Sequence, residues 1–205
     1  ALRYRQEESE LVEGNRALVL GYGEIGRRVA ELLRALGARV DATKRSVKRK
    51  EDVRGVIVHP PSDLHSLIPG AYFVILCLPM TPETDGLIGE YELALMHEKT
   101  ILVNVGRAEL VQEQPLYDSL KNRRIGAAAM DVWYNYPFSS NEMSKTRPSS
   151  APFWELDNVV MVPHIGGAYG VPALERKRIE NLAVLIRAAY EGTEVPWRID
   201  LNLGY

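Results

Sequence analysis

Three glycines stand at the spacing that suits a dinucleotide pyrophosphate, in the stretch Gly21-Tyr-Gly-Glu-Ile-Gly26. In this pattern the first glycine makes a tight turn, the second lets the pyrophosphate approach the backbone, and the third lets a helix pack on its strand. An apolar run, residues 17–20, precedes the motif, and a helical pattern follows it. Phosphate oxygens would meet N–H groups at the positive end of that helix. The stretch predicts a dinucleotide site; the alternative is an ordinary glycine-rich turn.

Two cations and a hydroxyl, Lys44, Arg45 and Ser46, follow the second predicted strand, residues 38–43. A dinucleotide-binding unit reads the adenosine ribose at this position. A carboxylate would accept hydrogen bonds from a ribose 2′-hydroxyl, whereas cations bind a 2′-phosphate. Asp41 is the nearest carboxylate, but strand alternation places it on the opposite face from Lys44. The sequence predicts NADP (NADPH) as the preferred coenzyme and NAD as the second choice; the alternative is that residues 44–50 form a solvated basic loop.

Alternating strands and helices must position these residues. Further strands are predicted at residues 56–58, 71–78, 100–105, 125–132 and 158–162. Helical segments are predicted at residues 63–68, capped by Ser62, and at 87–96, 110–121 and about 172–190, the last ending at Gly192. The first helix is predicted to use one apolar face, made of Ile25, Val29, Leu32, Leu33 and Leu36. Strands of low polarity separated by helices predict an α/β fold, a Rossmann-type doubly wound parallel sheet in three α/β/α layers.

Ligands of such a sheet bind beyond the carboxyl ends of its strands. Polar or turn-forming residues fall at those ends here: Lys44, residues 79–84, residues 104–107, Asp131 and His164. The loop at residues 133–157 is long enough to be functional. His59, His65 and His97 have no comparable setting and no metal-ligand spacing, so they are predicted to be structural and no metal site is expected.

The composition limits the classes of partner that the protein is expected to bind. The 205 residues carry 25 basic and 27 acidic side chains, a net charge of −2, which argues against nucleic acid or a membrane surface as a partner. No apolar stretch approaches membrane-spanning length, and residues 1–10 are too charged for a signal peptide. The lone cysteine, Cys77, lies in an apolar run and favours a reducing compartment. A cytoplasmic protein is predicted.

Five stretches, in this order, resemble the D-isomer-specific 2-hydroxyacid dehydrogenases. They are Gly21-Tyr-Gly-Glu-Ile-Gly26, Leu78-Pro-Met-Thr-Pro-Glu-Thr84, Val103-Asn-Val-Gly-Arg-Ala-Glu-Leu-Val111, Ala129-Met-Asp-Val132 and Pro163-His-Ile-Gly-Gly167. The resemblance runs from about residue 14 over nearly the whole chain. It implies hydride transfer between NAD(P) and a small 2-oxo or D-2-hydroxy acid, such as a glyoxylate- or hydroxypyruvate-like compound. It also implies a homodimer.

The resemblance assigns catalytic roles to Arg107, His164 and Tyr136. A guanidinium at Arg107 would bind the substrate carboxylate and donate to the carbonyl oxygen that becomes negative. His164 would supply the proton, since imidazole titrates near neutral pH. Tyr136 stands where the family has a carboxylate beside this histidine; a phenol can orient the imidazole but adds no negative charge. Glu142 and Glu155 are the carboxylates of the same loop that could replace it.

The predicted coenzyme contacts join the glycine motif, the basic loop and the family stretches. They are Gly21, Gly23, Glu24, Ile25, Gly26, Lys44, Arg45, Ser46, Leu78, Pro79, Thr84, Val105, Gly106, Arg107, Asp131, His164, Gly166 and Gly167.

The predicted domains are an N-terminal helical or linking segment at residues 1–14, a dinucleotide-binding domain at 15–192 and a tail at 193–205. Family members carry a substrate domain built largely from a segment ahead of the coenzyme domain, and only about fifteen residues precede the first strand here. We expect a coenzyme domain that lacks most of that segment, whether through truncation, through proteolysis or because the natural protein lacks it. The isolated chain is expected to be poorly active. The alternative function is a non-catalytic dinucleotide sensor of the corepressor type.

Overall fold

A computed structural model describes residues 11–167 and 170–199 of the chain. The strands are β1 (Arg16–Leu20), β2 (Arg39–Thr43), β3 (Glu51–Val53), β4 (Val56–His59), β5 (Phe73–Leu76), β6 (Ile101–Asn104), β7 (Ala127–Met130) and β8 (Val159–Met161). The α-helices are α1 (Glu24–Ala35), α2 (Leu64–Leu67), α3 (Glu90–Leu95), α4 (Glu113–Lys121) and α5 (Pro172–Glu191). Short 3₁₀ turns lie at Pro61–Asp63, Ile68–Gly70, Ala108–Leu110, Ser140–Glu142 and Phe153–Glu155.

The chain divides into two compact units, Ala1–Met161 and Val162–Tyr205. The whole sheet belongs to the first unit, and α5 belongs to the second. The predicted 15–192 domain therefore extends over parts of both units. Most of the predicted N-terminal segment, and the end of the predicted tail from residue 200, lie outside the described residues.

The sheet has eight strands in the order β3-β4-β2-β1-β5-β6-β7-β8. Neighbouring strands are parallel except for the antiparallel pair β3–β4. The chain winds outward in one direction from β1 through β2 and β4, and in the other from β5 through β8. This reversal between β1 and β5 confirms the predicted doubly wound fold and creates a crevice at the carboxyl ends of the two strands.

Both faces of the sheet are buried. In β1, Leu18 and Leu20 belong to one apolar cluster, while Ala17 and Val19 belong to another. Because successive strand residues point to opposite faces, this alternation places an apolar core on each side of the sheet. The three-layer arrangement follows from that burial.

The prediction for the apolar face of α1 is partly wrong. Gly26 and Ala30 are the buried residues of this helix, and Val29 and Leu33 pack beside them. Ile25, Leu32 and Leu36 are 61%, 66% and 60% exposed. The helix packs on the sheet through its small residues, because a side chain at position 26 would prevent the close approach described below. The larger side chains of the helix therefore point outward.

The hairpin β3–β4 extends the predicted strand at residues 56–58 and adds a strand that the sequence analysis did not predict. Its turn is made by Arg54 and Gly55, both with positive φ, 56° and 80°. Two consecutive residues with positive φ are typical of tight hairpin turns, which usually carry Asn-Gly or Asp-Gly. Glu51 and Asp52 give β3 a polar character, so neither the strand nor its turn carried a recognisable signal.

Several predicted boundaries are also too wide or misplaced. The helix expected at residues 87–96 begins only at Glu90, because Ile88 forms a bridge with Val111. The helix expected at residues 110–121 begins at Glu113, after a separate turn. Ser62 lies inside the turn Pro61–Asp63 and does not cap α2, whose N-cap is Asp63. The predicted end of α5 is confirmed, with Gly192 in the left-handed region at φ 66°.

Within the described residues, no helix combines the length and the apolar character needed to span a bilayer. The same part of the chain holds no group of three or more His, Cys, Asp or Glu side chains placed to bind a metal ion.

Candidate functional site

The glycine turn between β1 and α1 has a separate geometric reason for each glycine. Gly21 has a φ of +97°, and a Cβ there would lie 2.9 Å from the Cys77 carbonyl oxygen. A Cβ on Gly26 would lie 1.9 Å from the Gly21 carbonyl oxygen, so the first turn of α1 rests directly on the glycine turn. At Gly23 a Cβ would meet no atom within 4 Å. Gly21 and Gly26 therefore serve the fold, whereas Gly23 faces open space.

The open space at Gly23 fits a dinucleotide pyrophosphate. Gly23 is the N-cap of the 12-residue helix α1, and no side chain caps it. The first N–H groups of a helix need acceptors from outside the helix, and the helix dipole favours an anion there. Ile25 is largely exposed, and Glu24 pairs with Arg27 at 3.0 Å, so neither side chain closes the turn. That Gly23, Glu24 and Ile25 contact the coenzyme remains a prediction.

The end of β2 is fastened to the glycine turn. The Tyr22 N–H donates to the Thr43 carbonyl at 2.8 Å, and the Gly21 N–H lies 3.4 Å from Thr43 Oγ1. Lys44, Arg45 and Ser46 follow directly and are exposed. The basic loop thus begins beside the glycine turn.

Asp41 forms its contacts on the side of β2 that faces away from Lys44. Its Oδ2 accepts a hydrogen bond from Arg16 Nε at 2.7 Å, and its Oδ1 lies 2.8 Å from His59 Nε2. Both carboxylate oxygens therefore have partners away from Lys44. The structural role predicted for His59 agrees with this contact, because its ring is nearly buried and its Nδ1 also faces Asp63 at 3.4 Å.

The loop after β5 is closed by Thr84. Its hydroxyl donates to the Pro79 carbonyl at 2.8 Å and accepts the Thr81 N–H at 2.8 Å. The same loop reaches toward the basic residues: hydrogen bonds from the Thr81 hydroxyl and from its own backbone lower the pKa of Glu83, and attraction from Arg45 adds to the effect. Thr84, a predicted coenzyme contact, therefore shapes the loop.

Leu78 lies between the glycine turn and the loop after β6. Its Cδ2 would be 3.0 Å from a Cβ on Gly21, and its carbonyl oxygen 2.7 Å from a Cβ on Gly106. Both glycines must therefore lack a side chain for the three segments to meet. Leu78 and Pro79 are themselves half-buried.

Asn104, the last residue of β6, holds the turn that carries Arg107. Its side chain is fully buried and bonds with Gly106 and Arg107. Arg107 itself is exposed, and its guanidinium donates to the Gly106 carbonyl at 2.7 Å. Val105 is 37% exposed. The sequence indicates a polar residue at the end of this buried apolar strand, but not the bonds that Asn104 forms there.

Asp131 and Tyr136 follow β7. The Asp131 N–H donates to the Asn104 carbonyl at 3.1 Å, which continues the sheet edge from β6 to β7. Tyr136 is 45% exposed, and its hydroxyl oxygen accepts the Trp133 N–H at 3.0 Å. The phenol thus has a partner in its own loop, and its predicted contact with His164 stays a prediction. Glu142 accepts the Phe138 N–H at 3.0 Å.

His164 belongs to the second unit, three residues after β8 in the sequence. It has a φ of 55°, rare for a residue other than glycine, and its N–H donates to the Val162 carbonyl at 3.0 Å. His164, Gly166 and Gly167 are exposed. Within the same unit, Arg178 of α5 donates to the Gly167 carbonyl at 3.1 Å.

The contacts in the first unit form one continuous edge, which we call the coenzyme edge. It runs from Thr43 through Gly21, Leu78 and Asn104 to Asp131, along the carboxyl ends of β2, β1, β5, β6 and β7. Most of the predicted residues of the first unit lie on this edge or in the loops that leave it. The arrangement defines a dinucleotide-binding α/β domain with an exposed arginine in the turn after β6.

Comparison with known proteins identifies the family. Residues 2–166 match the D-isomer specific 2-hydroxyacid dehydrogenase NAD binding domain. The chain therefore belongs to this family, which confirms the resemblance seen in the sequence.

Individual relatives agree with that membership. A glyoxylate reductase of Thermococcus kodakarensis is 33% identical over 186 residues, which are 90% of this chain and 51% of that protein. The chain thus spans about half the length of this curated relative.

A D-isomer specific 2-hydroxyacid dehydrogenase from Xanthobacter autotrophicus Py2, crystallised with NADPH and MES, has a TM-score of 0.83 and 27% identity, and the match covers 99% of this chain and 78% of that one. D-lactate dehydrogenase with NAD⁺ from Lactobacillus jensenii shares the fold, with a TM-score of 0.78 at 24% identity over 94% of this chain and 58% of that one.

Proposed function

We propose that this chain is the coenzyme-binding part of an NADPH-preferring oxidoreductase that interconverts small 2-oxo acids and D-2-hydroxy acids. The observation that carries the proposal is the continuous coenzyme edge, on which an open, uncapped helix start at Gly23 and the braced turn of Arg107 occur together. Family membership and the glyoxylate reductase relative support the same reaction. The corepressor-type sensor has no comparable support among the relatives described above.

The proposed coenzyme site uses the glycine turn for the pyrophosphate and the basic loop for the ribose. N–H groups at the start of α1 would hold the pyrophosphate, with Gly23 leaving room for it. Lys44 and Arg45 would neutralise a 2′-phosphate, and Ser46 would donate to it. The NADPH-bound relative supports this preference, and NAD remains the second choice.

The proposed chemistry divides between Arg107 and His164. A nicotinamide coenzyme supplies a hydride when it is bound. Arg107 would hold the substrate carboxylate and donate to the carbonyl oxygen as negative charge develops there. His164 would hold the proton that this oxygen needs, and the Tyr136 hydroxyl would orient the imidazole without adding charge.

We also propose a cytoplasmic homodimer with no nucleic acid or membrane partner. The net charge of −2 and the lone, partly buried cysteine support the environment and the absence of such partners. The exposed apolar residues Leu32 and Leu36 of α1 support self-association. Light scattering of the purified chain measures the assembly state.

Isothermal titration of the chain with NADPH and NADH tests the coenzyme assignment. We expect NADPH to bind at least roughly tenfold more tightly, because a charge-assisted hydrogen bond contributes about 1.5–3 kcal/mol. Lys44→Asp should reverse the order, while Lys48→Asp, an exposed change in the same loop, should keep it. Equal affinities, or tighter binding of NADH by the unchanged chain, would contradict the NADPH preference.

Loss of NADPH absorbance with glyoxylate or hydroxypyruvate tests the reaction. We expect Arg107→Gln to abolish the rate that the chain supports even at saturating NADPH, a condition that excludes weaker coenzyme binding as the cause, since Arg107 is also a predicted coenzyme contact. A rate that survives this substitution would remove Arg107 from the mechanism. Because the isolated chain is expected to be poorly active, the sensor is favoured only if a chain that also carries the family's substrate domain binds NADPH and reduces no 2-oxo acid.

A further inference from the structure

Three arginines line one cavity at the amino-terminal edge of the sheet, the edge opposite the coenzyme edge. The cavity has a volume of about 500 Å³, and its lining includes Arg16, Arg34, Arg39, Asp41 and Ile57. Arg16 and Arg39 are the first residues of β1 and β2, whereas the glycine turn and Lys44 follow the last residues of these strands. This arginine cavity is therefore separate from the proposed coenzyme site.

The strand register places two of the arginines opposite each other on neighbouring strands. Arg16 of β1 is the direct partner of Arg39 of β2 in the parallel ladder. Paired residues on neighbouring strands project from the same face of the sheet, and like charges in that position destabilise it. Arg34, in the last turn of α1, adds a third positive charge to the same cavity.

One carboxylate within the cavity lining offsets this charge only in part. Asp41 accepts a hydrogen bond from Arg16 with one oxygen and faces His59 with the other. Within residues 11–167 and 170–199, Arg34 and Arg39 form no ion pair; the bonds of their guanidiniums go to the backbone carbonyls of Arg54 and Gly14. The cavity therefore keeps an excess of positive charge.

Two further carboxylates lie near the cavity without changing this balance. Asp52 accepts the Gly55 N–H in the hairpin turn. Glu13 packs against Gly37, two residues before Arg39. In the described part of the chain, neither forms an ion pair with the three arginines, so both leave the guanidinium donors available to a ligand.

We infer that the arginine cavity binds a small phosphorylated molecule. A guanidinium presents its N–H groups in a fork that matches phosphate oxygens, and a dianion would offset the repulsion between Arg16 and Arg39. A volume of about 500 Å³ lies in the usual range for small-molecule sites and exceeds what one phosphate ion needs. The phosphate would lie among the guanidiniums, and the carbon skeleton of the ester against Ile57.

Amide chemical shifts of the ¹⁵N-labelled chain test this inference with residue resolution. Glycerol 3-phosphate, inorganic phosphate and glycerol are titrated separately at constant ionic strength. We expect glycerol 3-phosphate to shift the amides of Arg39, Asp41 and Gly55 saturably, inorganic phosphate to do so more weakly, and glycerol to have no effect. Equal affinities of the ester and the free ion would assign the cavity to free phosphate and overturn the organic part of the inference.

Two variants and a matched control complete the experiment. Arg39→Gln and Arg34→Gln should each weaken glycerol 3-phosphate binding at least roughly tenfold, because each removes a charged donor. Arg124→Gln removes an exposed arginine outside the cavity and should leave the affinity unchanged. The amide spectrum of each variant shows whether it is folded.

Three results would overturn the inference. They are the absence of saturable shifts, shifts confined to the amides of Gly23 and Lys44 at the coenzyme edge, and equal weakening by Arg124→Gln and Arg39→Gln. Since NADPH is not used, failure of this experiment says nothing against the proposed coenzyme site.

Discussion

The side-chain amide of Asn104 joins the last residue of β6 to the backbone of Arg107. Its Nδ2 donates to the Arg107 carbonyl at 2.8 Å, and its Oδ1 accepts the Gly106 N–H at 3.0 Å. Because Asn104 is fully buried, the turn that presents Arg107 is held from inside the sheet. The position of this exposed arginine thus depends on an interaction that solvent does not reach.

Asn104→Ala should destabilise the chain by roughly 1–3 kcal/mol, because it removes two hydrogen bonds and leaves the buried Gly106 N–H without a partner, whereas the Arg107 carbonyl keeps the Leu110 N–H at 3.3 Å. Urea unfolding measures the change. Asn122→Ala, an exposed asparagine at the end of α4, is the control and should cost less than about 0.5 kcal/mol. If both variants unfold at the same urea concentration, the brace at Arg107 is not a stabilising feature.

Gly23→Ala and Gly26→Ala should separate coenzyme binding from folding. The methyl group of Gly26→Ala would overlap the Gly21 carbonyl, so we expect a loss of about 1–3 kcal/mol or more in stability. Gly23→Ala meets no atom and should cost at most about 1 kcal/mol, the effect of alanine at an N-cap, yet weaken NADPH binding by occupying the space proposed for the pyrophosphate. Thermal unfolding and calorimetric titration measure the two effects. Unchanged NADPH affinity in Gly23→Ala would move the pyrophosphate away from this turn.

Glu92 should contribute to the acid sensitivity of the fold. Burial raises the pKa of Glu92, but hydrogen bonds from the Gly89 N–H and from His65 outweigh it and lower the pKa below its usual value near 4.5. A carboxylate whose pKa is lower in the folded state stabilises the protein above the unfolded-state pKa, and this stabilisation is lost as the pH falls through the folded-state pKa.

Glu92→Gln should therefore flatten the decline in stability below about pH 4.5 and lower the stability at neutral pH. Urea unfolding across the acid range measures both effects. Glu90→Gln removes an exposed carboxylate from the same helix and controls for net charge. Parallel acid curves for Glu92→Gln and wild type would show that Glu92 does not carry the effect.

Cys77 should react slowly with iodoacetamide in the folded chain. Burial raises the pKa of its thiol from 9.0 to about 11. At pH 8 the reactive thiolate is then roughly a hundredfold scarcer than for an unperturbed thiol. Because the chain has one cysteine, mass spectrometry follows its alkylation directly, with urea-unfolded chain as the reference. Equal rates in the two states would mean that Cys77 is accessible and ionised in the fold.

The sequence could predict the features that depend on residues close together in the chain. The apolar runs of β1, β5 and β6 and the glycine turn depend on neighbouring residues, and all lie close to where they were predicted. The face of α1 could not be predicted, because periodicity shows where the apolar residues are but not that Gly26 and Ala30 form the docking side.

The features that could not be predicted depend on contacts between residues far apart in the sequence. The bonds of Asn104 depend on how the chain turns after β6, and the pairing of Arg16 with Arg39 depends on strand register across the 22 residues between them. No short motif encodes either arrangement. The hairpin β3–β4 was missed for the opposite reason, since its turn is local but uses Arg-Gly where Asn-Gly is usual.

The left-handed backbone of His164 affects how substitutions there must be read. A φ of 55° suits glycine and asparagine but strains alanine, which therefore changes the loop as well as removing the imidazole. An activity lost in His164→Ala would mix these two effects. Asparagine keeps the backbone preference and a hydrogen-bonding side chain while abolishing proton transfer near neutral pH, so His164→Asn is the substitution whose kinetics report on the ring alone.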